Sequence, residues 1–150
     1  MPGMLQDKVI AITGAGRGIG RGIALLAAAE GAKVVVNDFG VSIDGAEPSS
    51  EVAAAVVAEI EAAGGEAIAL ADDISTMEAG ERLVAAAVDK WGKLDGVVTV
   101  AGILRERMLF NMTEEEWDGV INTHLKGTFT VFRAASAVMR KQEAGGSLVA

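Results

Sequence analysis

The sequence predicts an open α/β fold in which five parallel strands alternate with helices, and three observations carry that prediction. Short apolar runs of strand length recur with helical stretches between them, and the first run breaks directly into four alternating glycines. Runs such as Val34-Val35-Val36 are apolar without alternation, as expected of strands covered on both faces. Strands joined through helices form a parallel sheet with right-handed crossovers. The expected strand order is 3-2-1-4-5, with the fifth strand only begun at the last residues.

The first strand is Val9 to Ile12. Gly14, Gly16, Gly18 and Gly20 follow, and the helix from Gly18 to Ala29 carries the stripe Ile19, Ile23, Leu26, Ala27 before Gly31 closes it. Glycines there let the backbone turn sharply and bring its N–H groups up to an anion, toward which the helix points its positive end. The second strand, Lys33 to Asp38, ends in an acid eighteen residues past Gly20, where a dinucleotide-binding unit places its ribose ligand. Read alone, the loop is also compatible with a tight connection that binds nothing. The complete strand, loop, helix, strand and acid unit predicts dinucleotide binding, with Gly14, Arg17, Gly18, Ile19, Gly20 and Asp38 as contacts.

Residues 39–50 form a long polar loop that either covers the adenosine or is a solvated insertion. Ser49 or Ser50 caps a helix from Glu51 to Ala63, which ends at Gly64-Gly65. A third strand, Glu66 to Ala71, leads to Asp73, which is either an adenine contact or a turn former. Ser75 or Thr76 caps the next helix, to Trp91. Leu94 to Val100 is a fourth strand, after which Ala101-Gly102 offers a second close backbone approach to the cofactor. A polar loop, Ile103 to Met112, precedes a capping box at Thr113 to Glu116, the start of one long helical region to about Arg140. The fifth strand begins at Ser147. No linker divides the chain, so residues 1–150 read as a single dinucleotide-binding domain.

Composition narrows the partners. Against 21 acidic residues stand 13 basic ones, a net charge of −8, which argues against a general nucleic-acid surface. The absence of cysteine excludes disulfides and thiolate metal sites, and a single histidine without clustered acids predicts no metal. No apolar run approaches ~20 residues and residues 1–8 lack a signal-peptide pattern, so no membrane association and a cytoplasmic location are expected.

With these residues in place, the chain resembles the short-chain dehydrogenase/reductase family over nearly all of its length, which implies a Rossmann-type doubly wound sheet. Thr13 to Gly20 is similar to the family's TGxxxGxG loop. Asp73-Ile74 is similar to its adenine-contacting Asp-Val pair, and Val98 to Gly102 to its NNAG segment, with Thr99 and Val100 in place of both asparagines. The resemblance thus adds Asp73, Ile74, Ala101 and Gly102 to the cofactor contacts. A finer resemblance, to the hydroxyacyl-CoA dehydrogenase unit of peroxisomal multifunctional enzymes and related bacterial dehydrogenases, rests on Asn37 to Gly40, Gly102 to Arg107 and His124 to Gly127. It makes His124 the candidate catalytic residue, at the position where most members hold a proton-relay water with asparagine. Spacing alone leaves His124 equally open as a packed helix residue. Trp91 and Trp117 read as core or helix-face residues.

Asp38 favours NAD as cofactor: it can accept from both ribose hydroxyls, whereas a 2′-phosphate would meet repulsion of ~1 to 4 kcal/mol at 4 Å. Arg17 pulls toward NADP in many relatives. The activity implied is interconversion of a secondary alcohol and a ketone, with a 3-hydroxyacyl-CoA the substrate suggested by resemblance; an oxoacyl carrier-protein reductase, or a sugar or steroid dehydrogenase, is the alternative. The family also uses a serine and a Tyr-x-x-x-Lys pair, and this chain contains no tyrosine. Three readings follow: the amino-terminal part of a longer dehydrogenase, itself inactive; a non-catalytic dinucleotide-binding module; or a regulatory fragment. The family resemblance implies a homo-oligomer, through the long helix 113–140, where Phe129, Phe132, Val138 and Met139 are the residues that could pack against a partner.

Overall fold

The computed structural model describes residues 3–41 and 48–150. Five strands, β1 (Val9–Thr13), β2 (Lys33–Asn37), β3 (Glu66–Leu70), β4 (Gly96–Thr99) and β5 (Ser147–Val149), form one parallel sheet in the order β3-β2-β1-β4-β5. The chain moves outward from β1 to β3 and then returns to lay β4 against the other side of β1. The carboxyl ends of β1 and β4 therefore flank the switch point, where such sheets open a crevice.

The unbroken apolar strands are divided between two layers by the pleat. Ile12, Val34 and Val36 pack with Ala53, Val56 and Ile60, beneath α1 (Gly18–Ala29) and α2 (Glu51–Ala62). Val9, Ala11 and Val35 point the other way, onto Leu83, Ala87, Val131 and Ala135 of α3 (Met77–Trp91) and α5 (Gly127–Met139). Side chains alternate along a strand, so Val34-Val35-Val36 serves both cores.

Several expected boundaries resolve differently. The cap of α3 is Thr76, which accepts from Ala79 N at 3.2 Å, and Ser49 rather than Ser50 accepts from Glu51 N at the start of α2. The ladder of β4 is shorter than Leu94 to Val100. Both main-chain groups of Leu94 are taken by the Gln142 side chain, and Val100 N is shared between Thr13 O and Thr13 Oγ1 at 3.2 Å each. The capping box at Thr113 and Glu116 forms and starts α4 (Glu114–Ile121). Arg107 donates to Glu116, and with the Thr113 N–H this brings the Glu116 pKa down to about 2.

The single long helix expected over 113–140 is interrupted by a π-helical turn, Asn122–Lys126, between α4 and α5. Two hydroxyls bond back four residues at this point, Thr123 to Gly119 O at 3.0 Å and Thr128 to His124 O at 2.7 Å. Such bonds compete with the helical ladder and bend it. Met139, expected to face a partner, is instead 5% exposed in the sheet core. Phe132 and Val138 pack against the same core, and only Phe129 of the four is largely exposed. The middle of the 39–50 loop, 42–47, lies outside the described residues.

Candidate functional site

A cleft of about 390 Å³ opens at the carboxyl ends of β1 and β4. It brings together the ten predicted cofactor contacts: Gly14, Arg17, Gly18, Ile19, Gly20, Asp38, Asp73, Ile74, Ala101 and Gly102.

The glycine loop forms one wall. Gly14 has φ +64°, and a Cβ there would lie 2.7 Å from Ala101 Cα and N, so the two backbones meet without a side chain between them. Arg17 is the extended residue before α1 and makes no side-chain cap bond, which leaves the first amides of that helix facing the cleft. The Arg17 guanidinium lies out on the following loop, 3.4 Å from Val41 O.

Asp38 occupies the end of the second strand as expected, but its carboxylate is already engaged. Oδ2 accepts from Gly16 N at 2.9 Å and Oδ1 from Gly40 N at 2.8 Å. Each oxygen keeps lone pairs for a further donor. Asp73 lines the cleft, and its Oδ1 accepts from Ser75 N at 3.0 Å in a turn, as the turn-former reading expects. Ile74 sends its side chain into the core at 5% exposure.

His124 stands behind the lining, and its neighbour Thr123 is on the cleft wall. The imidazole lies against Gly102, where an added Cβ would be 2.5 Å from Cε1. Its Nε2 is 3.1 Å from Ile103 N and 2.9 Å from Ile103 O. One ring nitrogen serves one of these at a time: bare, it accepts the amide; protonated, it donates to the carbonyl. His124 belongs to the π-helical turn Asn122–Lys126.

The family model for short chain dehydrogenases matches residues 8–150. This chain belongs to the short-chain dehydrogenase family. A hydroxyacyl-CoA dehydrogenase of Mycobacterium tuberculosis is 46% identical over 147 residues, which cover 96% of this chain and 45% of that protein. The peroxisomal multifunctional enzyme type 2 of Mus musculus is 45% identical over 148 residues, 99% of this chain and 20% of that one. The crystal structure of a short chain dehydrogenase from Mycobacterium avium superimposes with a TM-score of 0.86 at 47% identity, covering 98% of this chain and 52% of the other. The chain thus spans about half, or less, of the relatives it matches.

Within this short-chain dehydrogenase architecture, three buried polar residues take structural roles that the sequence did not assign to them. Thr13, fully buried, accepts from Val100 N at 3.2 Å and Ala101 N at 3.3 Å and so fixes the exit of β4. Asn37 and Thr130, also buried, bond main-chain groups of Asp72 and Ile74. For Thr13 and Asn37 a polar residue closing an apolar strand was the available signal; Thr130, within α5, carried none. Thr99, in place of the family's asparagine, reaches Val149 O, and Thr128 reaches Thr99, each at 3.4 Å. Neither tryptophan lines the cleft: Trp91 packs against the core with its Nε1 bonded to Glu66, and Trp117 is largely exposed on α4. Among the described residues, no three His, Asp or Glu side chains converge on a metal-sized site, and no helix is long and apolar enough to cross a membrane.

Proposed function

We propose that this chain holds NAD for a dehydrogenase that interconverts a secondary alcohol and a ketone. The observation that carries the reading is the acid of Asp38 beside the glycine loop, bonded to Gly16 N within a cleft that also contains Ala101 and Gly102. The diphosphate is assigned to the open amides of α1, the adenosine ribose to Asp38, the adenine to Asp73 and Ile74, and the nicotinamide side to Ala101 and Gly102. A 2′-phosphate at Asp38 would face the same ~1 to 4 kcal/mol of repulsion, which supports NAD over NADP. Arg17 is free to swing from its long contact with Val41 toward a phosphate, and the acid opposes it.

The substrate class we assign is a 3-hydroxyacyl-CoA, supported by the hydroxyacyl-CoA dehydrogenase relative and by the His124 to Gly127 resemblance. As hydride leaves the alcohol carbon, a base must take the hydroxyl proton. None of the 150 residues is a tyrosine, so the family's acid/base group is not among them. We therefore assign these residues the binding half of the chemistry, with His124 positioning the end of β4 beside the reacting groups. The same observation favours a second reading, a non-catalytic dinucleotide-binding module. We further propose a homo-oligomer formed through the 113–140 region, where Trp117, Leu125 and Phe129 are each more than half exposed. A cytoplasmic location is kept as a proposal, although the mouse relative is named as peroxisomal.

Calorimetry with NAD and NADP tests the cofactor, and NADH formation from 3-hydroxybutyryl-CoA tests the reaction. NAD binding at least tenfold tighter than NADP is expected; equal affinities overturn the choice. NAD binding without turnover by the full-length protein would establish the second reading.

A further inference from the structure

Three polar side chains are fully buried among the described residues, Thr13, Asn37 and Thr130, and each bonds the main chain of a segment lining the cleft. Two of them grip the same short segment. We propose that Asn37 and Thr130 clamp the strut Asp72-Asp73-Ile74 from both ends and so set the affinity of the cleft for the adenine of its nucleotide, a role that rests on the dinucleotide reading above.

Asn37 holds the near end. Its Nδ2 donates to Asp72 O at 3.2 Å and its Oδ1 accepts from Asp72 N at 3.1 Å. A flipped amide would set N–H against N–H and oxygen against oxygen, so the partners fix its orientation. The main chain of Asn37 also accepts from Ala15 N at 3.1 Å, and the next residue, Asp38, donates its N–H to Leu70 O. One buried residue therefore ties together the glycine loop, the ribose acid and the exit of β3.

Thr130 of α5 holds the far end. Its Oγ lies 2.5 Å from Ile74 O and 2.9 Å from Gly127 O, with a single proton to serve them. Between the two anchors, Asp73 is held by local bonds: its Oδ1 accepts from Ser75 N at 3.0 Å, and its carbonyl accepts from Thr76 N at 3.3 Å and from Thr76 Oγ1 at 3.2 Å. Arg82 grips Asp72 from outside through an ion pair at 2.8 Å, with its own side chain 57% exposed. The buried ends are the stronger constraint, because a main-chain group stripped of its partner in the interior is costly, whereas an exposed pair contributes little. A strut held at both ends presents Asp73 and Ile74 at a fixed distance from the glycine loop, which is what reading a flat base requires.

The test uses Asn37→Leu and Thr130→Val in the full-length protein, with circular dichroism to show that each is folded; Thr130→Val keeps the side-chain shape. The ligands are NAD and nicotinamide hypoxanthine dinucleotide, which share both phosphates and both riboses and differ only on the adenine ring. Wild type is expected to prefer NAD. Each variant should weaken NAD about tenfold and the hypoxanthine analogue by less, so that the preference shrinks. Amide exchange at Asp73 to Ser75 should accelerate, with Ala11, Ile12 and Val97 unchanged. Equal losses for both ligands, unchanged exchange in the strut, or a wild type that binds NAD without preference would each overturn the clamp. A wild type that binds neither dinucleotide overturns the cofactor reading itself, and the clamp's role with it.

Discussion

The carboxylate of Asp38 accepts the amide of Gly16 at 2.9 Å, so the acid that follows β2 is fastened to the glycine loop. Its other oxygen holds Gly40 N. Asp38 therefore has two separable functions, charge and loop anchoring. Removing both in Asp38→Ala is expected to weaken NAD by about tenfold or more. Asp38→Asn removes the charge while keeping one acceptor, and should narrow the NAD/NADP preference with a smaller loss of NAD affinity. Paired titrations measure this. Unchanged NAD affinity in both variants would remove Asp38 from the site.

Gly14 and Gly18 both have positive φ, +64° and +52°, but their surroundings differ. A Cβ on Gly14 would press on Ala101, while one on Gly18 meets nothing within 4 Å. Gly18→Ala should cost about 1 to 2 kcal/mol from backbone strain alone. Gly14→Ala adds a collision between the ends of β1 and β4 and should cost more, about 3 kcal/mol. Urea unfolding of the two variants checks the order, and equal midpoints would show that the close approach to Ala101 relaxes freely.

Much of this arrangement was legible in the sequence because it rests on local rules. Gly14 to Gly20, the acid at Asp38 and the capping box at Thr113 each follow from neighbours within a few residues. The parallel sheet follows from the alternation of strands with helices, and the strand order from the dinucleotide-binding unit at its start. What was not legible depends on partners far along the chain. Leu94 leaves the β4 ladder because Gln142 captures it, 48 residues away. Met139 carries no mark that would distinguish a core side chain from a partner-facing one. The π-helical turn at Asn122–Lys126 is accompanied by two threonine hydroxyls that bond back four residues, within a stretch whose apolar pattern continues, so periodicity passed over it. Its consequence is functional in position: it lays His124 on Gly102.

Asp95 should make stability depend on acid. Burial alone would raise its pKa, but a hydrogen bond from Lys93, the Val9 N–H, and the charges of Lys93 and Lys8 outweigh that and lower it below 3.8. A carboxyl whose folded pKa lies below its unfolded one stabilises the fold above the unfolded value and ceases to do so as pH falls through the folded value. Asp95→Asn should therefore unfold at lower urea than wild type at pH 5 to 7, with the gap closing below about pH 4. A gap that stays constant from pH 7 to pH 3 would show that the charge contributes nothing.

His124 distinguishes binding from chemistry. It does not line the cleft, and it holds Ile103 through Nε2 while packing on Gly102. Loss of the ring in His124→Ala frees the exit of β4, next to the proposed nicotinamide end, but leaves the adenosine contacts at Asp38 and Asp73 in place. Turnover by the full-length protein should fall by about tenfold or more, with NAD affinity changing by less than about threefold. His124→Asn retains a donor and an acceptor on a shorter side chain and should recover part of the rate. Unchanged turnover in His124→Ala would show that His124 is only packed against the sheet.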